Sequence, residues 1–385
     1  MRLNFLREKI SPAGDGAPVY KRGTKKPAYL DSVQHLKVKP VEQSDDLSES
    51  FTKIFTSPNI VSKQWVYEQY DYMVRTNTVI QPGGDAAVIR IKGTNKALSV
   101  KTDCNARYVY LDPYSGAAIA VAESARNVVC TGAKPVAITN CLNFGNPYKP
   151  EVYWQFEKAI SGMGDACRVL ETPVTGGNVS FYNESETYQV YPTPVIGMLG
   201  VIEDISFITP SAFQKEGDLV YLIGETFPEL GGSEYLKRVY NKVQGLPPRL
   251  DLTIEKETQD QVLNAIQHRL VRSCHDVSDG GLAVALAECC VLSKNKQLGL
   301  KAQMDTTLLA AESAFSESQS RFVVSVPLEK QNTFERLFSD GVPKLTYLGS
   351  VGGFLFSFNN YFEYTLNDLS EMYFETLPAI MNRQI

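Results

Sequence analysis

The segment at residues 175–180, Thr-Gly-Gly-Asn-Val-Ser, combines paired glycines with short oxygen-bearing side chains. Glycine permits backbone torsions and a close approach that a Cβ forbids, so backbone N–H groups can reach a phosphate. Asn178 and Ser180 add oxygen ligands of the kind that a metal-bound nucleotide requires. We therefore interpret the segment as a turn that contacts a nucleotide and its metal ion.

Two further polar segments, at residues 101–105 and 139–147, each follow an apolar run that is typical of a strand. Asp103 ends the first run, and Asp85 follows two glycines, so both are candidate phosphate or metal neighbours. The alternative is that they are structural residues of acidic turns. We expect the three polar turns to meet at one ligand.

Several helices and strands must position these turns. Residues 83–91 and 96–103 predict a β-hairpin, and helical spacing at residues 47–74 predicts helices that begin the first domain. Small and apolar residues at 114–129 predict a helix packed closely on a sheet, and residues 150–170 predict an amphipathic one. Arg126 and Asn127 fall in the last turns of the first of these helices, where a solvated pair is the alternative to a functional role.

A strand at residues 219–223 restarts the strand–helix order and predicts a second α/β domain. Gly231, Gly232 and Ser233 stand at a helix start, which indicates either an anion site or simple capping. Further on, Asp279 is placed to cap a small-residue helix that runs through Cys290. His275 is a weak candidate for acid–base catalysis, because no nucleophile motif accompanies it.

Composition indicates an ordinary globular chain of 385 residues, with 43% hydrophobic and 21% charged residues. Its net charge of −5 argues against nucleic-acid binding, and no apolar run is long enough for a membrane span. Seven cysteines without a Cys-x-x-Cys pair favour reduced thiols, and we expect a cytoplasmic protein. We predict a linker or extended arm at 1–48 and two domains, at 49–210 and 211–385.

Six motifs occur in order: DCNARY at 103–108, AESARN at 122–127, LNFGNP at 142–147, GGNVSFYNE at 176–184, GGSEY at 231–235 and HDVSDGG at 275–281. In sequence and spacing they closely resemble the second half of small-type phosphoribosylformylglycinamidine synthase, an enzyme of purine synthesis. The resemblance covers nearly the whole chain. It implies a two-domain α/β (α+β) fold like that of aminoimidazole ribonucleotide synthetase, whose first-domain sheet pairs with a like domain into a barrel.

The resemblance also implies a reaction and its partners. ATP and Mg²⁺ activate the amide oxygen of formylglycinamide ribonucleotide, and ammonia then displaces phosphate to give the amidine. The partners implied are a catalytic, histidine-bearing first half, a glutaminase subunit and a small bridging subunit. This chain corresponds to the second of two tandem copies.

Residue by residue, the resemblance implies that Asn140 and Gly177 contact ATP, that Asn178 binds the metal and that Ser180 contacts substrate. Asn140 departs from the aspartate often found at its position. The resemblance implies that these residues contribute to an active site whose other residues belong to the first half.

A pseudo-symmetric site within this half is implied at Asp103, Arg126, Asn127 and Asp276. Residues 104–107 (Cys-Asn-Ala-Arg) replace the catalytic half's Ser-His-Asn-His, and they offer no general base. We therefore expect no catalytic residue in this half, whose pseudo-site either is empty or binds nucleotide structurally.

Two alternatives remain open. The chain could be a non-catalytic nucleotide-binding module that homodimerises through its first-domain sheet, where an exposed edge is a template for pairing. It could also be a complete cyclo-ligase like aminoimidazole ribonucleotide synthetase, although the missing histidines and the Asn-Phe-Gly-Asn-Pro signature disfavour this.

Overall fold

A computed structural model describes residues 22–36, 47–293 and 297–382. Residues 1–21 and 37–46 of the predicted linker lie outside these ranges. Within them, no helix combines the length and apolarity needed to cross a bilayer.

The described part of the arm contacts the first domain. Lys25 donates its backbone N–H to Pro150 O at 3.2 Å, and the ring of Tyr29 stacks on Tyr110 with centroids 4.5 Å apart. The arm and the segment after it contain three short helices: α1 (Leu30–Val33), α2 (Ser48–Phe55) and α3 (Gln64–Tyr67).

Helix α2 packs differently from the sequence expectation that it begins the first domain. Its buried residues Phe51, Ile54 and Phe55 belong to the apolar core of the second domain. Phe51 stacks on Phe362, with ring centroids 4.6 Å apart. Helical periodicity identifies the apolar face of a helix but not the surface that covers this face. The sequence therefore could not indicate that α2 packs on the second domain.

Six strands form the first sheet: β1 (Thr78–Ile80), β2 (Ala87–Arg90), β3 (Ala97–Asp103), β4 (Lys134–Asn143), β5 (Val174–Ser180) and β6 (Thr193–Ile202). Their order is β1-β2-β3-β6-β4-β5, and only β4 and β5 are parallel neighbours. The predicted hairpin is confirmed, because β2 and β3 pair antiparallel. Strand β5 lies at an edge of the sheet.

Three helices accompany this sheet: α4 (Ala106–Leu111), α5 (Pro113–Cys130) and α6 (Pro150–Val169). Helix α5 begins where Asp112 caps it by accepting from the backbone N–H groups of Tyr114 and Ser115. Nearly every residue of α5 is buried, as its small side chains predicted. Residues of α5 and α6 form one core with the inward-facing residues of the sheet, so they cover one of its faces.

The second domain has two sheets. The strands are β7 (Leu219–Ile223), β8 (Ser273–Asp276), β9 (Leu300–Ala302), β10 (Phe322–Val326), β11 (Leu345–Ser350), β12 (Leu355–Phe358) and β13 (Phe362–Thr365). They form an antiparallel sheet in the order β11-β7-β10-β8 and a smaller one in the order β13-β12-β9. The predicted strand at 219–223 is confirmed.

Six α-helices belong to this domain: α7 (Glu234–Tyr240), α8 (Leu252–Gln267), α9 (Gly281–Val291), α10 (Ala310–Phe315), α11 (Gln331–Leu337) and α12 (Leu366–Asn382). Apart from Glu288, helix α9 is apolar and is buried in the core, including Cys289 and Cys290. All seven cysteines are free thiols. Short 3₁₀ turns occur at Val74–Thr76, Ile205–Phe207 and Leu328–Lys330.

Candidate functional site

The segment at 175–180 lies within strand β5, so the prediction that it is a turn was wrong. Gly177 pairs in parallel register with Asn140 of β4, and Asn178 pairs with Cys141. The polar segments at 101–103 and 139–143 likewise belong to strands β3 and β4. Glycine and asparagine are depleted in strands, so propensity favoured a turn; pairing with β4 overrides that preference.

Gly177 and Asn140, the two residues implied to contact ATP, are directly packed together. A Cβ built on Gly177 would lie 2.2 Å from Asn140 Oδ1 and 2.5 Å from its backbone oxygen. The backbone at Gly177 has a φ of +155°, which an L side chain rarely adopts. Only glycine therefore fits beside Asn140 at this edge of the sheet.

Asn178 and Ser180 lie on the other face of the sheet from Gly177 and Asn140, because successive side chains of a strand point to opposite faces. Asn178 is exposed, and within the described part of the chain its side chain has no hydrogen-bond partner. A ligand that contacted all four residues would therefore have to extend around the edge strand.

The loop that follows β5 fixes the position of Ser180. Asn183 donates from Nδ2 to the backbone oxygens of Ser180 (2.8 Å) and Phe144 (3.0 Å). Glu184 accepts from the backbone N–H of Asn146 at 2.9 Å. Two of the three polar segments predicted to meet, those at 139–147 and 175–180, are thus held together at the ends of β4 and β5.

The face of the sheet that carries Asn178 and Ser180 is not covered by α5 or α6. Residues of β6 alternate between half-exposed and buried along the whole strand, as expected for a sheet covered on one side. Ile89 and Val100 are 38% and 37% exposed on the uncovered side. We refer to this surface as the open face; its half-exposed or exposed apolar residues are Ile89, Leu98, Val100, Val195, Leu199 and Val201.

Three residues of the implied pseudo-site, Arg126, Asn127 and Asp276, meet in a buried network between the two domains. Arg126 donates from Nε to Asp276 Oδ1 at 2.8 Å and from Nη1 to Glu255 Oε2 at 2.9 Å. Asn127 donates from Nδ2 to Asp276 Oδ2 at 3.2 Å. Arg126 is 0% and Asn127 4% exposed, so the alternative of a solvated helix-end pair is wrong.

Asp103 lies in the electrostatic neighbourhood of this network. Burial raises the pKa of Asp103 to about 6, with Asp279 and Asp276 adding to the rise and Lys101 opposing it. Its Oδ2 atom is buried without a hydrogen-bond partner. Burial, followed by Asp103 and Asp276, also raises the pKa of Glu123 well above its ordinary value. Asp103 and Glu123 are therefore protonated more readily than ordinary carboxyl groups.

Asp85 and His275 have structural partners that the sequence did not indicate. His275 Nδ1 lies 2.9 Å from Asp85 Oδ1, and its Nε2 lies 3.1 Å from Glu288 Oε2. Asp85 also accepts from the hydroxyl of Ser211 and from the backbone N–H of Asp276. With both ring nitrogens of His275 engaged, neither residue is free to act on a ligand.

A carboxylate of the chain fills the predicted anion site at residues 231–233. Glu317 Oε1 accepts from the backbone N–H of Glu234 at 2.8 Å and from that of Gly280 at 2.7 Å. The other carboxylate oxygen, Glu317 Oε2, accepts from the hydroxyl of Tyr108. Ser233 caps α7 by accepting from the backbone N–H of Leu236, so the capping alternative is confirmed.

The prediction that Asp279 caps the following helix was wrong. The cap of α9 is Gly280, in a left-handed conformation with a φ of +83°. Asp279 instead accepts from Asn105 Nδ2 at 2.8 Å. This contact crosses from one domain to the other, which local sequence spacing cannot reveal.

Residues 104–107 have no free base. Burial raises the pKa of the Cys104 thiol far above its ordinary value. Asn105 caps α4 through its side-chain oxygen, and Arg107 forms an ion pair with Glu234. Within residues 22–36, 47–293 and 297–382, no three His, Cys, Asp or Glu side chains are grouped so as to hold a metal ion.

Four polar residues of these networks were not indicated by the sequence: Glu123, Glu255 and Glu317, which are buried, and Glu288, which is half-buried. Each of these glutamates lies in or beside a helix. The only sequence signal for its role is that a charged residue stands among apolar ones. Buried carboxylates require partners, so such positions are a signal for ion pairs across a domain contact.

Two family models match the chain in tandem. The model of the AIR synthase related protein, N-terminal domain, matches residues 83–202, and that of its C-terminal domain matches residues 215–353. Together they span most of the described chain and correspond to the two domains.

Solved structures agree with this assignment. Thermotoga maritima PurL complexed with FGAR superposes with a TM-score of 0.69 at 19% identity, over 84% of this chain and 53% of that one. The same protein complexed with ATP gives a TM-score of 0.64 at 19% identity, over 84% and 51%. PurLQS from Thermotoga maritima gives 0.55 at 23% identity, over 88% and 45%.

This chain spans about half of the length of the Thermotoga maritima PurL chains that it matches. At these identities the likeness shows a shared two-domain fold. With both domain models matched in order, the chain belongs to the AIR synthase related family.

Proposed function

We propose that the chain is the second half of a phosphoribosylformylglycinamidine synthase. This enzyme converts formylglycinamide ribonucleotide, ATP and ammonia derived from glutamine into the amidine. The observation that carries the proposal is the exposed edge strand β5, where Gly177 lies against Asn140 while Asn178 and Ser180 lie on the open face. The PurL structures with FGAR and with ATP support this substrate class.

In this proposal each residue of the edge has a binding role. Gly177 lets the ATP phosphates approach the backbone, and the side chain of Asn140 contributes a neutral hydrogen-bonding partner. Ser180, held by Asn183, contacts the ribonucleotide. These residues bind and orient, because none of them can transfer a proton near neutral pH.

A magnesium ion fits the chemistry of Asn178, whose exposed amide oxygen has no partner among the described residues. When bound, the ion neutralises charge on the phosphoryl group that is transferred. One amide oxygen does not complete a coordination shell, so the other ligands come from ATP, water and the first half.

The open face is the surface that we propose for the first half. Its apolar side chains are exposed in the single chain, and a like sheet packed on it removes them from water. That arrangement closes a barrel and brings the histidine-bearing site of the first half to β5. In this proposal a glutaminase subunit and a bridging subunit supply ammonia, and the match to PurLQS from Thermotoga maritima supports the presence of further subunits.

Reconstitution tests the proposal. The chain is mixed with a separately produced first half, and ATP-dependent amidine formation is measured with ammonium as the nitrogen source. We expect activity only from the mixture, and a Ser180→Ala variant should raise the substrate KM. Asn332→Ala, on the exposed side of α11, is the matched control. Activity of the mixture no greater than that of the first half alone contradicts the proposal.

The open face also supports a second candidate, a nucleotide-binding module that homodimerises. A sheet with exposed apolar residues can pair with a second copy of itself. Sedimentation and calorimetry with Mg-ATP distinguish the two. Stable dimers that bind nucleotide, do not exchange with the first half and show no turnover favour the module.

A further inference from the structure

The described part of the arm is fixed to both domains. At one end, Lys25 donates its backbone N–H to Pro150 O, at the start of α6 in the first domain. At the other end, Val33 accepts from the backbone N–H of Gly245, in the second domain, at 2.8 Å. Leu30, between these contacts, is 0% exposed. The position of the arm therefore does not depend on a single side chain.

Between its two ends, the arm contributes the first ring of an aromatic stack. Tyr29 lies on Tyr110 of α4, with ring centroids 4.5 Å apart and planes inclined by 8°. Tyr110 in turn stacks on Tyr191, at 4.3 Å and 19°. The hydroxyl of Tyr29 donates to Tyr110 O at 2.9 Å and accepts from Gln155 Nε2 at 2.8 Å. These contacts hold the first ring in one orientation, so the attraction between stacked rings extends from the arm to Tyr191.

The third ring adjoins the loop that holds Ser180. Tyr191 directly follows Val190, whose backbone N–H donates to Asn183 O at 3.2 Å and closes a small hairpin at residues 183–190. Asn183 donates from Nδ2 to the backbone oxygen of Ser180 at 2.8 Å. The stack therefore ends one residue from the hydrogen bond that closes the hairpin, and the hairpin supplies the donor that fixes Ser180.

The hairpin has little packing of its own. Residues 185–189 are all exposed, and segments with few buried contacts open locally at a low cost in free energy. On one side of the hairpin, Glu184 accepts from the backbone N–H of Asn146 at 2.9 Å. On the other side, the stacked ring of Tyr191 is the aromatic contact that restrains it.

We propose that Tyr29 of the arm is a positioning residue for the ribonucleotide. Through the stack, it holds the hairpin in the place from which Asn183 fixes Ser180. This inference rests on the proposed function, in which Ser180 contacts the substrate. Tyr29 lies outside β5 and acts only through other residues, so its loss should weaken binding of the ribonucleotide and leave the chemical step unchanged.

Hydrogen exchange in the isolated chain tests the coupling without any substrate. Tyr29→Ala should accelerate exchange of the amides at 183–191 about threefold, and Tyr110→Ala, which removes both stacked contacts, about tenfold. Tyr29→Phe keeps the ring and should exchange as the unaltered chain does. Lys26→Ala is the matched control, because Lys26 lies in the same arm and pairs with Asp31 of the arm.

Kinetics of the reconstituted two-half enzyme test the positioning role. Tyr29→Ala should raise the KM for formylglycinamide ribonucleotide about threefold and leave kcat and the affinity for Mg-ATP unchanged. Tyr29→Phe should restore the KM. A role in stability alone would lower the Tm without this separation of KM from kcat.

Exchange in Tyr29→Ala that is no faster than in Lys26→Ala overturns the inference. Faster exchange with an unchanged KM also overturns it, provided that Ser180→Ala raises the KM. If Ser180→Ala leaves the KM unchanged, the role of Ser180 in the proposed function is wrong, while faster exchange in Tyr29→Ala still supports the coupling of the arm to the hairpin. Should Tyr29→Ala not fold, Tyr29→Leu, which keeps apolar bulk without the ring, replaces it in both measurements.

Discussion

Replacement of His275 by glutamine tests the buried Asp85–His275–Glu288 cluster. The imidazole lies within hydrogen-bond distance of carboxylates on both sides, at 2.9 and 3.1 Å. Burial opposes its charge, but Asp85 and Glu288 outweigh burial and raise the pKa of His275 well above its ordinary value. The folded protein therefore holds an imidazolium that links a loop of the first domain to β8 and α9 of the second.

The sign of the pH effect follows from that raised pKa. Because the folded state binds the proton more tightly than the unfolded state, the stabilisation is fully present below the unfolded pKa of about 6.5 and is lost as pH rises through the folded pKa. In this window the contribution falls by about 1.4 kcal/mol per pH unit. Near pH 6, removing the cation leaves Asp85 buried and unpaired, at a cost of about 3–5 kcal/mol.

The assay is urea unfolding of the unaltered chain and of His275→Gln at pH 6, 7, 8 and 9. The difference in free energy of unfolding should be largest at pH 6 and should shrink steadily above pH 7. His268→Gln is the control, because His268 is exposed and, among the described residues, its ring hydrogen-bonds only to the backbone oxygen of Asn264. Parallel stability curves for the unaltered chain and His275→Gln would refute the reasoning.

Three further predictions concern packing, the filled anion site and the open face. Gly200→Ala should lower the free energy of unfolding, measured by urea unfolding, by about 1–3 kcal/mol, because the added Cβ would lie 2.2 Å from Val128 Cγ1. Gly176→Ala is the control: its Cβ would meet no atom within 4 Å, so the free energy of unfolding should be nearly unchanged. Glu317→Ala leaves two buried N–H donors unsatisfied and should lower the free energy of unfolding by about 2–5 kcal/mol, measured by calorimetry. A decrease of less than about 1 kcal/mol would contradict the assigned contacts. Val100→Glu on the open face should weaken association with the first half at least tenfold in sedimentation without changing the Tm of the isolated chain.

Strong local patterns were sufficient to predict much of the fold. The small residues of α5, the period of α6 and the run Leu219–Ile223 each specified an element of the structure. The tandem order of two α/β domains and the family followed from motifs and are confirmed by the two family models. The predicted domain boundaries and the roles of individual site residues stay predictions.

The errors share a physical cause, which is pairing between distant parts of the chain. Residues 175–180 form a strand because they pair with β4. Asp279 does not cap the helix as predicted; its carboxylate accepts a hydrogen bond from Asn105 instead. The partners of Arg126 come from β8, α8 and the loop before β10, and no local spacing reports such contacts.

The affinity of the reconstituted two-half complex for Mg-ATP, measured by calorimetry, tests most directly whether β5 supplies nucleotide contacts. Asn178→Ala should weaken that affinity at least tenfold and leave the Tm of the isolated chain unchanged, while Asn332→Ala should bind as the unaltered chain does. Equal Mg-ATP affinity for the unaltered and Asn178→Ala complexes would contradict the role of the edge strand.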